Sequence, residues 1–209
     1  MPAPETVQRP QNARPVLGHV NLMADTLIAN ANIDDLRAIV RSMVASATPG
    51  VAAALTSAAR DRLQTQSRVA ARTPSYALFV GNVKAPMPTS QLYELLKRAR
   101  ALYGSGMGFA SLGLLALSVR ATIGLRWDSE GGDVVDVLAV IDADIAQAIQ
   151  SCKEELEAGR VVTGGEYTHA RKSLAELRGV VEESYQDVGA WGGEFPFERA
   201  AASLAYWKL

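Results

Sequence analysis

The sequence predicts an all-α fold: a single irregular helical bundle, or stack of helical hairpins, of about seven helices behind a flexible N-terminal tail. Three observations carry this. Apolar residues recur at steps of three and four along most of the chain, the spacing that lines one face of a helix. The breaks between these stretches are short and hold Gly, Pro, Thr or Asn, the residues that stop and cap helices. Nearly half of the 209 residues are hydrophobic, enough to build a core without disulfides or metals.

Residues 1–17 are rich in Pro, Gln, Asn and Arg and show no periodicity, so a flexible tail is expected there and a single domain over residues 18–209. Val20, Met23, Leu27 and Ala31 then mark a first helix. Asn32 has the character of an N-cap, with Asp34 and Asp35 in the first turn, and Leu36, Ile39, Val40, Met43 and Val44 form the stripe of a second. Thr48-Pro49 starts a third helix through Val51, Leu55, Ala59 and Leu63. The second and third are expected to form an antiparallel hairpin.

Residues 65–89 interrupt the rhythm. A fourth helix follows through Leu92, Leu95, Leu96, Ala99, Leu102 and Tyr103, with Gly104 as its stop. The run from Met107 to Ile123 is apolar on most sides and is expected to be a buried helix. Its 13-residue apolar core is too short for a bilayer, which takes about 20 residues. The clearest helix covers residues 131–159, with Val134, Leu138, Ile141, Ile145, Ile149, Cys152 and Leu156 in one stripe. Another is expected over 166–186 through Tyr167, Ala170, Leu174, Leu177, Val181 and Tyr185. Phe195-Pro196-Phe197 introduces a last short helix reaching Leu204 and Trp207.

LFVGNV (residues 78–83) resembles the first conserved strand motif of RNA-recognition domains, and GMGFASL (106–112) resembles the second. The resemblance spans about 35 residues. It implies a sheet on which Phe79 and Phe109 stack on bases. The order of elements opposes it: only Gly104-Ser105 separates the preceding helix from the second motif, leaving no space for the strand that must intervene. LFVGNV is therefore expected to be a buried connector between helices. GSGMG (104–108) has phosphate-loop glycine spacing, but it follows a helix where such a loop must follow a strand, so a helix–helix turn is expected.

Chemistry-bearing residues are few. One cysteine, Cys152, excludes an internal disulfide framework, and two histidines, His19 and His169, argue against a histidine-built metal centre. Cys152 lies on a buried stripe, where thiols are inert. Asp142 and Asp144 point about 200° apart on a helix and so cannot hold one ion; Asp142 is expected at the border of the stripe and Asp144 in water. No metal, cofactor or catalytic residue is expected.

The net charge of −1 conceals asymmetry: residues 1–130 carry a net +6 and residues 131–209 a net −7. Two groups are candidates for partner binding. Arg60, Arg62, Arg68 and Arg72 form a basic patch, suited to an acidic protein face or, as an alternative, to nucleic acid. Trp191, Phe195, Phe197 and Trp207 form an aromatic cluster that either clamps the last helix to the core or serves as an interface hot spot; clamping is the stronger expectation. The function expected is a non-enzymatic protein–protein interaction module, an adaptor or subunit of an intracellular complex in cytoplasm or nucleus, with self-association also expected and no membrane partner. Alternatives are a nucleic-acid-associated protein using residues 60–72 and an enzyme with a carboxylate-lined pocket between helices.

Overall fold

The computed structural model describes residues 22–69, 77–128 and 132–207. The expected tail, with His19, therefore lies outside the described residues. The elements, in order, are α1 (Leu22–Asn30), α2 (Ile33–Ala45), α3 (Val51–Val69), β1 (Phe79–Asn82), β2 (Ala85–Pro88), α4 (Ser90–Gly104), α5 (Gly108–Arg120), α6 (Asp133–Glu157), α7 (Gly164–Trp191) and α8 (Glu198–Tyr206). The all-α expectation holds, with eight helices and one small hairpin among the described residues. The chain divides into two compact units after Ala52, where the sequence predicts one domain over 18–209. The expected hairpin of α2 and α3 falls across that division.

In the first unit Asn32 caps α2 as expected, its side chain accepting from the amides of Asp34 and Asp35 at 3.0 and 2.8 Å. Asp34 and Asp35 also place negative charge at the positive end of the helix dipole. The third helix starts at Val51, two residues beyond Pro49, because Gly50 at φ +83° turns the chain first.

The second unit is built around α5, which packs against α4, α6 and α7. Phe109, Leu112, Leu115, Ala116 and Val119 of α5 are all buried. Small residues let its neighbours close in. A Cβ at Gly108 would stand 2.4 Å from the Cys152 amide nitrogen of α6, an approach open only to glycine. The hydroxyls of Ser111 and Ser118 donate to carbonyls of α5 itself, so they enter the core without leaving a donor unpaired.

In α6 the predicted stripe is the observed one: Leu138, Ile141, Ile145, Ile149 and Cys152 are buried, joined by Val137 and Ala148. Each such aliphatic side chain contributes about 1.5–3 kcal/mol through burial. In α7, Ala170, Leu174, Leu177 and Val181 are buried, whereas Tyr167 and Tyr185 lie at the exposed margin of the stripe. Thr163 and Glu166 form a capping box at its start, and Gly192 in the left-handed conformation ends it.

One expectation about the elements is overturned. LFVGNV is not a buried connector. Residues 79–82 pair antiparallel with 85–88, Phe79 opposite Pro88 and Asn82 opposite Ala85. Within LFVGNV only Leu78 is buried, and in β2 only Pro86, while Val80, Val83 and Met87 are exposed. Gly81 sits at φ +96°, where a Cβ would meet the Ala85 carbonyl oxygen at 2.6 Å. Phe109 is on helix α5, so the hairpin does not belong to an RNA-recognition sheet. GSGMG is the expected α4–α5 turn.

Candidate functional site

Two surfaces stand out, one in each unit. The first is α2. None of its residues is buried. Of its apolar stripe, Ile39, Val40, Met43 and Val44 are 37–53% exposed and Leu36 is half-buried, and Ile33 at its start is exposed as well. On α1, Leu27 and Ile28 are exposed as well. Leu27, Ala31, Ala38 and Ile39 line an open crevice of about 520 Å³ between these two helices. A sequence with so regular an amphipathic pattern ordinarily hides its stripe, and contiguous exposed apolar surface marks contact with another molecule.

The second is a cleft of about 290 Å³ in the second unit, beside the N-terminal half of α6. Its walls are Trp127, Phe195, Val135 and Leu138, and three carboxylates, Asp142, Glu194 and Glu198, face it with one cation, Arg199. Trp127 is held by an edge-to-face contact with Trp191, ring centroids 5.3 Å apart. The strap carrying it, residues 124–128, is pinned from two sides. The Arg126 amide donates to the Val83 carbonyl of the hairpin turn at 2.7 Å, and the Gly124 amide donates to Asp187 of α7 at 3.0 Å. The Arg126 guanidinium pairs with Asp187 and covers the Trp191 ring at 5.3 Å, a cation–π contact.

Asp142 and Asp144 do not share a ligand, as their helical spacing predicts, but Asp144 is not in water. Both side chains are buried. Asp144 accepts from Arg100 Nε at 2.9 Å and from the Tyr103 hydroxyl at 2.8 Å, and it forms an ion pair with Arg100 Nη2 at 2.8 Å. Burial, then the bond to Asp144, pushes the Tyr103 hydroxyl up to about 12. The expectation failed because α4 covers this face of α6, and its Arg100 and Tyr103 supply the donors that water supplies on an open helix. Asp142 Oδ1 accepts from the Ala200 amide at 2.8 Å, tying α8 to α6. Burial raises its carboxyl above the ordinary range, and the amides of α8 with Arg199 oppose that only in part.

Cys152 is buried, and desolvation pushes its thiol far up, which removes it as a nucleophile. His169 is exposed on α7. Among the described residues no cluster of three or more metal-ligating side chains occurs, and no helix is long and apolar enough to cross a membrane.

The aromatic cluster divides. Phe197 and Trp207 are buried, with Trp207 5.8 Å from Phe109; they clamp α8 to the core. Phe195 and Trp191 are half-buried, and Phe195 packs edge-on against both Tyr185 and Phe197. Of the basic patch, Arg60 is half-buried and donates to the Ser105 carbonyl at 3.0 Å. Arg62 is exposed. Arg68 lies on α3 with its side chain outside the description, and Arg72 lies outside the described residues. No family model matches the chain, and neither a curated protein nor a solved structure matches it at a significant level.

Proposed function

We propose that the chain is a non-enzymatic protein–protein interaction module, an adaptor or subunit of a complex inside the cell. One observation carries this reading: α2 holds a regular apolar stripe and buries none of it. A helix of 13 residues has little stability of its own in water and draws most of it from packing an apolar face. An α2 stripe lying against a partner supplies that packing.

The test places a photo-crosslinking residue at Val40, on the stripe, and another at Asp34, off it, in the full chain inside its native cells. Adducts of increased mass are expected from position 40 and not from position 34. Absence of adducts from position 40 removes the reading.

A second reading rests on the carboxylate-lined cleft. In an enzyme working there, Glu194 and Glu198 carry the proton transfers, because Asp142 is committed to holding α8. A panel of ester, glycoside and phosphate-ester substrates tests it. Turnover that survives the double change Glu194→Gln and Glu198→Gln, or no turnover at all, removes this reading.

A further inference from the structure

Outside the residues that form these two surfaces, two arginines from distant parts of the sequence meet over the α4–α5 turn. Arg160 follows the left-handed turn at Gly159 that ends α6. A Cβ at Gly106 would lie 2.9 Å from Arg160 Nη2 and 3.8 Å from Arg60 Nη1. Gly106, at φ +80°, is thus the floor on which the two guanidinium groups converge, and a side chain there would have to displace the Arg160 guanidinium.

The hydrogen-bonding capacity of this pair is far from used. Arg60 gives one bond, to the Ser105 carbonyl. Arg160 Nε is buried with no acceptor. Among the ion pairs of the described residues, all six involve other cations. The carboxylate nearby is Glu155, which is turned to the start of α5, where Oε2 accepts from the Phe109 amide at 3.2 Å. Both arginines act on it at a distance, yet its carboxyl stands raised because burial outweighs them and the α5 amides. Two cations therefore face one carboxylate already engaged elsewhere. Half-buried guanidinium groups side by side repel each other, and buried N–H groups without acceptors are unfavourable.

We propose that Arg60 and Arg160 form a binding site for a phosphate group, inorganic or on a small monoester. The planar guanidinium fork presents paired N–H donors that match the oxygens of a phosphate. One such anion bridging the two forks accepts from both guanidinium groups and cancels the repulsion between the cations. Glu155 Oε2 is turned away to the Phe109 amide and leaves the two forks open to it. The site is independent of the α2 surface and of the cleft, so it stands or falls apart from both.

The test is calorimetric titration and thermal melting of the full chain with inorganic phosphate and with phosphoserine, against chloride at matched ionic strength. Saturable binding at millimolar or lower concentration is expected, with a rise in melting temperature that chloride does not reproduce. Phosphoserine binding where inorganic phosphate does not, or the reverse, identifies the source of the phosphate group. Arg60→Gln and Arg160→Gln are each expected to weaken binding at least tenfold, Arg160→Lys less so, and Arg171→Gln on the open face of α7 not at all. In chloride alone Arg160→Gln is expected to melt no lower than the unaltered chain, because it removes an unpaired charge; a merely structural arginine would melt lower. Phosphate acting no differently from chloride, or Arg160→Gln binding as well as the unaltered protein, overturns the site.

Discussion

Asp142 and Asp144, two residues apart on α6, illustrate how differently one helix can employ the same side chain. Asp144 joins α4 to α6 through Arg100 and Tyr103. Asp144→Ala strips both donors of their acceptor and is expected to lower unfolding stability by about 1–3 kcal/mol; Arg100, half-exposed, regains water and keeps the loss from being larger. A change below about 0.5 kcal/mol in chemical denaturation would show the triad to be ornamental. Asp142 predicts a pH effect of definite sign. Its carboxyl is raised in the folded chain, mainly by burial, so the folded state holds this proton more tightly than the unfolded state. Stability then falls as pH climbs from the ordinary carboxylate value through the raised one, and is level above it. Asn keeps an acceptor for the Ala200 amide and does not titrate. Asp142→Asn should therefore gain on the unaltered chain across that climb, read as a rise in its urea midpoint relative to that of the unaltered chain between about pH 4 and 7. Glu155, raised in the same direction, is common to both chains and drops out of the difference. A relative midpoint that falls instead would contradict this account.

Among the elements, those with long unbroken periodicity were legible in the sequence and those defined by partners far along the chain were not. The α6 stripe appears in the structure almost residue for residue, because a 25-residue helix averages out local ambiguity. The hairpin was hidden by its own composition. Pro86 and Pro88 ordinarily speak against a strand, and β2 accommodates them because it pairs on one side only, with β1. The donors around Asp144 and the meeting of Arg60 with Arg160 were illegible for another reason: the residues involved are separated by 41 to 44 positions in the first case and by about a hundred in the second. No local pattern encodes either. The cleft around Trp127 likewise assembles from three separated stretches. For α2, the absence of any buried residue has a measurable result. In the free chain its amides are expected to exchange with deuterium far faster than those of α5, and to slow once a partner covers the stripe. Equal protection of α2 and α5 in the isolated chain would refute the exposed-helix description.

At the scale of the whole molecule, the main apolar cluster among the described residues runs from Leu78 to Trp207. Removing residues 1–52 is accordingly expected to leave the melting temperature of the remainder within about 2–4 °C, the shift that roughly 1 kcal/mol produces in a chain of this size; a drop of 10 °C would mean that the first unit completes the core of the second. The close approach of Gly108 to Cys152 has a practical sequel. The single thiol of this polypeptide is roofed by backbone, so oxygen and alkylating reagents meet it only after the chain opens. Samples kept in air without reductant should stay free of covalent pairs, and any doubling of mass observed in them would have to come from reversible association.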